Sequence, residues 1–201
     1  MEFLPQIIQK LINRFSNLPS IGPRQATRLV FYLINQGKNE ILELANQIQE
    51  LQKIKICSFC FFPHQNQENL CNICLNPERN PKIIMVVEKE TDLISLEKTK
   101  KFNGRYFIIG HIAKTGVLEE WQKLRLQSLK SYIQKNLGGK ADEIILAFNL
   151  DSWGNLSANL IKKELNDFAL KITRLARGLP TGGEIEFADD ETLASALENR
   201  E

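Results

Sequence analysis

The stretch Ile83-Ile84-Met85-Val86-Val87-Glu88-Lys89-Glu90-Thr91-Asp92-Leu93 sets the fold class. Its first five residues form an unbroken apolar run, mostly β-branched. A strand with one wet face alternates polar and apolar side chains, whereas an uninterrupted run suits a strand covered on both faces. Charged residues follow at once, and a helix is predicted over 91–99, so the strand passes straight into a helix. The alternation repeats further on. Strands are predicted at 105–110, 143–149 and 171–176, and helices at 118–136 and 156–169. This pattern predicts an α/β layer with a mainly parallel sheet.

Upstream the period changes. Phe3, Ile7, Ile8, Leu11, Ile12 and Phe15 recur at helical spacing. Leu18-Pro19-Ser20-Ile21-Gly22-Pro23 then reads as a turn, and further helices are predicted at 24–35 and 39–52. A cysteine-bearing module at 53–76 and a proline-flanked linker at 76–81 lead into the strand–helix region. After that region comes the glycine-rich turn Arg177-Gly178-Leu179-Pro180-Thr181-Gly182-Gly183. A last strand is predicted over Glu184–Ala188 and a terminal helix over Glu191–Asn199. The fold class is therefore α+β multidomain. The expected divisions are 1–52, 53–76, 81–176 and 177–201.

The chain has 201 residues, 43% of them hydrophobic and 25% charged, which excludes wholesale disorder and a fibrous repeat. No apolar run approaches the roughly 20 residues a membrane-spanning helix needs. Met1-Glu2-Phe3-Leu4-Pro5 does not read as a secretory signal, so a cytoplasmic location is expected. Net charge is +2, but it is unevenly spread. Residues 1–56 and 81–175 are basic, and residues 176–201 are acidic. A basic body permits nucleic-acid contact, and the acidic tail permits contact between copies.

All four cysteines fall within one short window, as Cys57-x2-Cys60 and Cys71-x2-Cys74. Each CxxC turn can aim two thiolates at one ion, and two turns supply a tetrahedral set. Soft thiolates in that number favour zinc or an iron–sulfur centre, and zinc is expected, one per chain. With all four positions filled by protein, no site is left for a reacting water, so the role is structural. Two disulfides are the alternative, and the absence of a secretory signal argues against them. His64, between the knuckles, is read as a loop residue.

The turn at 18–23 joins two predicted helices and is followed by Arg24 and Arg28, one helical turn apart. A tight turn at Gly22 would leave backbone N–H groups free at a positively polarised helix end, which can hold a phosphate. Such a contact grips the backbone and ignores the bases. An ordinary helical hairpin with two exposed arginines is the alternative. Ser20 stands where such hairpins usually carry glycine.

Four features in one order carry a resemblance. They are Leu18-Pro-Ser-Ile-Gly-Pro-Arg-Gln-Ala-Thr-Arg-Leu, the four-cysteine module, Val86-Val-Glu-Lys-Glu-Thr-Asp-Leu, and the tail from Thr173 through Gly182-Gly-Glu-Ile-Glu-Phe-Ala-Asp-Asp to Glu198. Together they closely resemble the RecR family of bacterial recombination proteins, over almost the whole chain. The resemblance implies a helix-hairpin-helix, a zinc finger, a Toprim domain and a Walker B-like C-terminal segment. It implies a homo-oligomer, a dimer or a tetrameric ring, that binds single- and double-stranded DNA without sequence preference. It implies action with RecO-like and RecF-like repair proteins to load recombinase on gapped single-stranded DNA, with no enzymatic activity. By position, Arg24 and Arg28 match the DNA-contacting hairpin residues, Cys57, Cys60, Cys71 and Cys74 the zinc ligands, and Glu88 and Asp92 the first Toprim acids.

The third Toprim strand departs from the pattern. The family reads close to Asn-Pro-Thr-x-Glu-Gly-Glu, and this chain reads Asn149-Leu150-Asp151-Ser152-Trp153-Gly154-Asn155. Trp153 and Asn155 replace both glutamates. The family's Gly-Gly near the second strand reads Gly110-His111. A phosphodiester-cutting Toprim site needs several carboxylates around Mg²⁺. Here only Glu88, Asp92 and Asp151 are candidates, and they would make a weak site. A Toprim-type metal-dependent nuclease or phosphotransfer enzyme is the alternative function. An adaptor that binds repair proteins with little DNA affinity is a third. Trp121, Phe102 and His111 are read as structural, and Tyr106 as a strand residue. Gly182-Gly183 lacks the Lys-Ser/Thr of a phosphate loop.

Overall fold

The computed structural model describes residues 3–113, 115–176, 178–179 and 181–198. Arg177 and Pro180 of the expected glycine-rich turn and Asn199 of the expected terminal helix lie outside the described residues. No described helix is long and apolar enough to cross a membrane. The chain divides into two compact units at Ile54/Lys55.

The first unit is helical. It contains α1 (Gln6–Ser16), α2 (Pro23–Gln36) and α3 (Lys38–Glu50), closed by a 3₁₀ turn at Leu51–Lys53. Pro23 opens α2, where its missing N–H costs nothing because the first turn has no intrahelical acceptor. Gly37 ends α2 at φ 93° and starts α3, a backbone angle that glycine adopts without strain. Ile12, Ala26 and Val30 form the buried centre, with Leu4, Ile8, Phe15 and Ile21 packed around them.

The second unit begins with the cysteine module. A short antiparallel pair, β1 (Lys55–Ile56) and β2 (Pro63–His64), is followed by the one-turn α4 (Asn72–Leu75). Then come β3 (Ile83–Val87), α5 (Glu90–Lys98), β4 (Arg105–Ile108), α6 (Glu120–Asn136), β5 (Ala141–Ala147), α7 (Ser152–Leu165) and β6 (Ala169–Arg174). The sheet order is β4-β3-β5-β6 and every pairing is parallel. The unbroken run at 83–87 therefore forms an inner strand. Alternate side chains enter opposite cores. Ile84, Val86, Phe107, Ile144 and Leu146 pack with Leu129 and Ile133 of α6 and Ile161 and Leu165 of α7. Met85, Val87, Tyr106 and Ile108 pack with Leu93 of α5. The sheet is thus covered on both faces, as its apolar strands require.

Two elements differ from the sequence-based expectation. Glu184–Ala188 contains a 3₁₀ turn at Ile185–Phe187 in place of a strand, and Ile185 and Phe187 are exposed. A lone alternating segment becomes a strand only beside a partner, and no described strand pairs with it. Helix α7 starts at Ser152, four residues earlier than expected, because the Asp151 carboxylate accepts from the Gly154 N–H at 2.7 Å and caps it. The terminal helix α8 spans Asp190–Glu198.

Candidate functional site

In the first unit, the turn after α1 closes with Ile21 N–H donating to the Leu18 carbonyl at 3.2 Å. Ser20 sits at φ 64°, in the left-handed region that glycine prefers. Gly22 takes an extended backbone and caps α2, with no side-chain cap bond. Its place is open: a Cβ there would meet nothing within 4 Å. Arg24 and Arg28 are both exposed on the first turns of α2. Among the described residues no acidic side chain pairs with either. The free helix end and two unneutralised guanidinium groups therefore face solvent together.

The four cysteines converge. Their sulfurs all lie within 4.8 Å of one another, and Cys60 Sγ is 3.4 Å from Cys71 Sγ. None is in a disulfide and all are buried. Local bonds build each knuckle. Cys57 N–H donates to the Phe62 carbonyl at 3.0 Å, Phe61 N–H returns to the Cys57 carbonyl at 3.1 Å, and Leu75 N–H donates to the Cys71 carbonyl at 3.0 Å. Hydrogen bonding from Cys60 draws the Cys57 thiol well below its ordinary range, and hydrogen bonding with Cys57 pushes Cys74 well above it. Four buried thiols packed this closely suit a bound cation that takes the place of their protons. A tetrahedral ion with bonds of about 2.3 Å to sulfur needs sulfurs about 3.8 Å apart, and this set fits. Among the described residues it is the one group of three or more potential ligands within reach of one another. His64 is not in it; its Nδ1 accepts from Asn66 N–H at 3.2 Å.

The module is docked onto the sheet. Ile108 N–H of the edge strand β4 donates to the Cys60 carbonyl at 3.1 Å. Phe59 and Phe61 meet Phe107 edge-on, with ring centroids 6.2 and 5.5 Å away. The Arg125 guanidinium lies 4.2 Å from the Phe61 ring centre, and Arg105 lies 5.5 Å from that of Phe59. The cysteines thus belong to the same buried cluster as Ile84 and Val86.

A third site lies beyond the carboxyl ends of β3 and β5, where parallel sheets gather ligands. A cleft of about 310 Å³ is lined by Glu88, His111, Asn149, Asp151, Trp153 and Ser157 among others. Glu88 is buried and hydrogen-bonded to Nδ1 of His111. Asp92 stands outside the cleft lining and caps α5, accepting from Lys89 N–H at 3.2 Å. Burial raises its carboxyl above the usual range. Asp151 caps α7. The structure therefore brings Glu88 and Asp151 to one cleft, and each candidate carboxylate already has a local partner.

Sequence reasoning gave His111 no partner. The bond to Glu88 spans 23 positions and leaves no periodic trace. Gln122 was also missed. It is fully buried, and its Nε2 donates to the carbonyls of Gly110 at 3.3 Å and His111 at 2.9 Å, holding the loop that presents the imidazole. A buried carboxamide on an otherwise apolar helix face was the one available signal.

Comparison with known proteins covers nearly the whole chain. A model of the RecR helix-hairpin-helix matches residues 8–52, one of the Toprim domain 82–176, and one of the RecR C-terminal segment 178–201. Recombination protein RecR of Clostridium perfringens, in two strains, is 38% identical over 201 residues, covering 100% of this chain and 98% of the relative. Recombination protein RecR of a Nocardioides species is 35% identical over 197 residues, 96% of each chain.

Proposed function

The chain belongs to the RecR family of recombination proteins, and from that premise we propose that it is a DNA-holding clamp subunit of recombinational repair that performs no chemistry on the strand. The observation that carries this reading is the pair of exposed, unpaired arginines, Arg24 and Arg28, behind the turn at 18–23. Their charges and the free N–H groups of α2 would grip phosphates of single- or double-stranded DNA, whatever the sequence. The chain then acts in the cytoplasm as a homo-oligomer, a dimer or a ring, with RecO-like and RecF-like proteins to load recombinase on gapped DNA. In this reading residues 1–52 form the DNA-contacting domain, 53–76 the metal module, 81–176 the Toprim domain and 177–201 the Walker B-like segment.

Cys57, Cys60, Cys71 and Cys74 hold one structural zinc ion. Bound there, the ion would balance the charge of the thiolates and hold the two knuckles together, and four protein ligands would leave no position for substrate.

The enzymatic alternative has less support. Glu88 is engaged by His111, Asp92 and Asp151 serve as helix caps, and Tyr106 is buried with its hydroxyl raised by desolvation. A weak Mg²⁺ site from these three acids would need substrate phosphates to complete it.

DNA affinity of Arg24→Glu with Arg28→Glu, titrated against salt, tests the reading. Each lost phosphate contact should lower the salt slope by about 0.9 on duplex and 0.7 on single strands. Weaker binding with a flatter slope and an unchanged melting curve is expected. Wild-type affinity at low salt would reject the hairpin as the DNA site. Nicking of supercoiled DNA with Mg²⁺ or Mn²⁺, abolished by Glu88→Gln, would overturn the non-catalytic reading.

A further inference from the structure

In a parallel sheet linked by helices, strand starts and helix ends collect at the same edge of the layer. At that edge of the second unit, Lys82, Lys100, Lys101 and Lys140 precede strands β3, β4 and β5. Lys98, Lys135, Lys162 and Lys163 close helices α5, α6 and α7. All eight are exposed, and among the described residues none is in an ion pair. The exposed acids of the same edge are Glu78, Asp142 and Asp167, while Glu97 is taken up by Arg79. The opposite edge carries Glu88, Glu90, Asp92, Glu119, Glu120 and Asp151. Among the described residues its lysines, Lys89 and Lys123, are paired with Asp92 and Glu120, and Arg174 bonds Asn155. Charge is thus segregated along the strand direction.

Lysines in a last helical turn have a structural use, because they offset the negative helix end. That accounts for Lys98, Lys135, Lys162 and Lys163. Lys82 and Lys140 are not on helices and gain nothing from such an end. Lys100 is held at φ 55°, just past α5, with its N–H donating to the Glu97 carbonyl at 3.0 Å. Glycine is the favoured residue for that left-handed position, and a lysine there works against the backbone. The sheet order sets Lys100 and Lys101, then Lys82, then Lys140 in a row. Neighbouring strands are about 4.8 Å apart, so these three strand starts span ~10 Å, the length of about three phosphates along one strand of duplex.

We propose that this lysine rim is a second contact surface for the nucleic-acid sugar-phosphate backbone, separate from the hairpin. It rests on the reading that the chain engages DNA. Lys82, Lys101 and Lys140 act as sequence-blind phosphate contacts, and Lys100 is kept at a backbone cost for the same purpose.

The test uses the full-length chain and a labelled oligothymidylate across a salt series. Lys82→Gln with Lys101→Gln and Lys140→Gln should lower affinity about tenfold at moderate salt and reduce the salt slope by about 2, with the melting temperature unchanged. Lys100→Gly should raise the melting temperature by about 2 °C while weakening DNA binding two- to threefold. Amine acetylation of Lys82, Lys101 and Lys140 should be suppressed by the oligonucleotide, both in the wild type and in the Arg24→Glu, Arg28→Glu variant. If the rim variant keeps wild-type affinity and slope while the hairpin variant loses binding, the rim inference fails and the hairpin reading stands. If the wild type ignores the oligonucleotide at low salt, the reading beneath both fails. Loss of retention on phosphatidylserine vesicles with DNA binding intact would assign the rim to a membrane surface and overturn the inference.

Discussion

Ser20 holds a backbone angle of φ 64° in a turn where the resemblance leads one to expect glycine. Ser20→Gly should therefore stabilise the first unit by about 0.5–1 kcal/mol and leave DNA affinity unchanged, as thermal melting and binding assays would report. Gly154 has the opposite constraint. A Cβ there would lie 1.9 Å from the Asn149 carbonyl oxygen, so the backbone itself must move. Gly154→Ala should cost about 2–3 kcal/mol and disturb the cleft next to Asp151, read as a lowered urea midpoint. These two residues also explain what the altered third strand retains. Asp151 falls where the family pattern has threonine, and either side chain can cap a helix. The cap and the glycine survive, while the proline at 150 and the carboxylates at 153 and 155 are gone. Asp92 adds a pH signature. Burial raises its carboxyl above 3.8, so ionisation works against the fold. Its contribution is intact at low pH and declines as pH rises from about 3.8 through the raised value. Asp92→Asn should flatten the stability–pH curve in that window, and an unaltered curve would contradict the burial argument.

At the scale of elements, the cysteine module covers the exposed side of β4. An uncovered edge strand presents free N–H and C=O groups and invites wrong pairing. Here the Cys60 carbonyl takes the Ile108 N–H, and Phe59 and Phe61 seat the module on Phe107. Loss of the ion should then damage the sheet as well as the module. Cys60→Ser should lose bound metal and lower the melting temperature of the second unit by more than about 10 °C. Aggregation through β4 should accompany it, as light scattering would detect. A variant that melts normally without metal would show the module to be independent of the sheet. The strand-end cleft depends on α6 in a comparable way. Gln122 grips the carbonyls of Gly110 and His111, and Gly110 holds φ 90°, a left-handed angle that favours glycine.

For the whole molecule, the first unit leaves much apolar surface uncovered. Phe3, Ile7, Leu42 and Leu51 are more than three-fifths exposed, and among its described residues only Ile12, Ala26 and Val30 are buried. That surface supports the proposed homo-oligomer. Light scattering should give at least a dimer mass, and Leu42→Glu should lower it; a strict monomer at every salt concentration would reject the proposal. Sequence by itself determined the helical first unit, the parallel α/β layer and the grouping of the cysteines. Each depends on neighbours a few residues apart: a 3.6-residue stripe, an apolar run such as 83–87, or a CxxC turn. Only the tertiary structure decided that Glu88 binds His111, that no described strand pairs with the 184–188 segment, and that lysines from four separate stretches of chain share one edge of the sheet. Such contacts join distant positions through strand order and helix packing, and no local period encodes them.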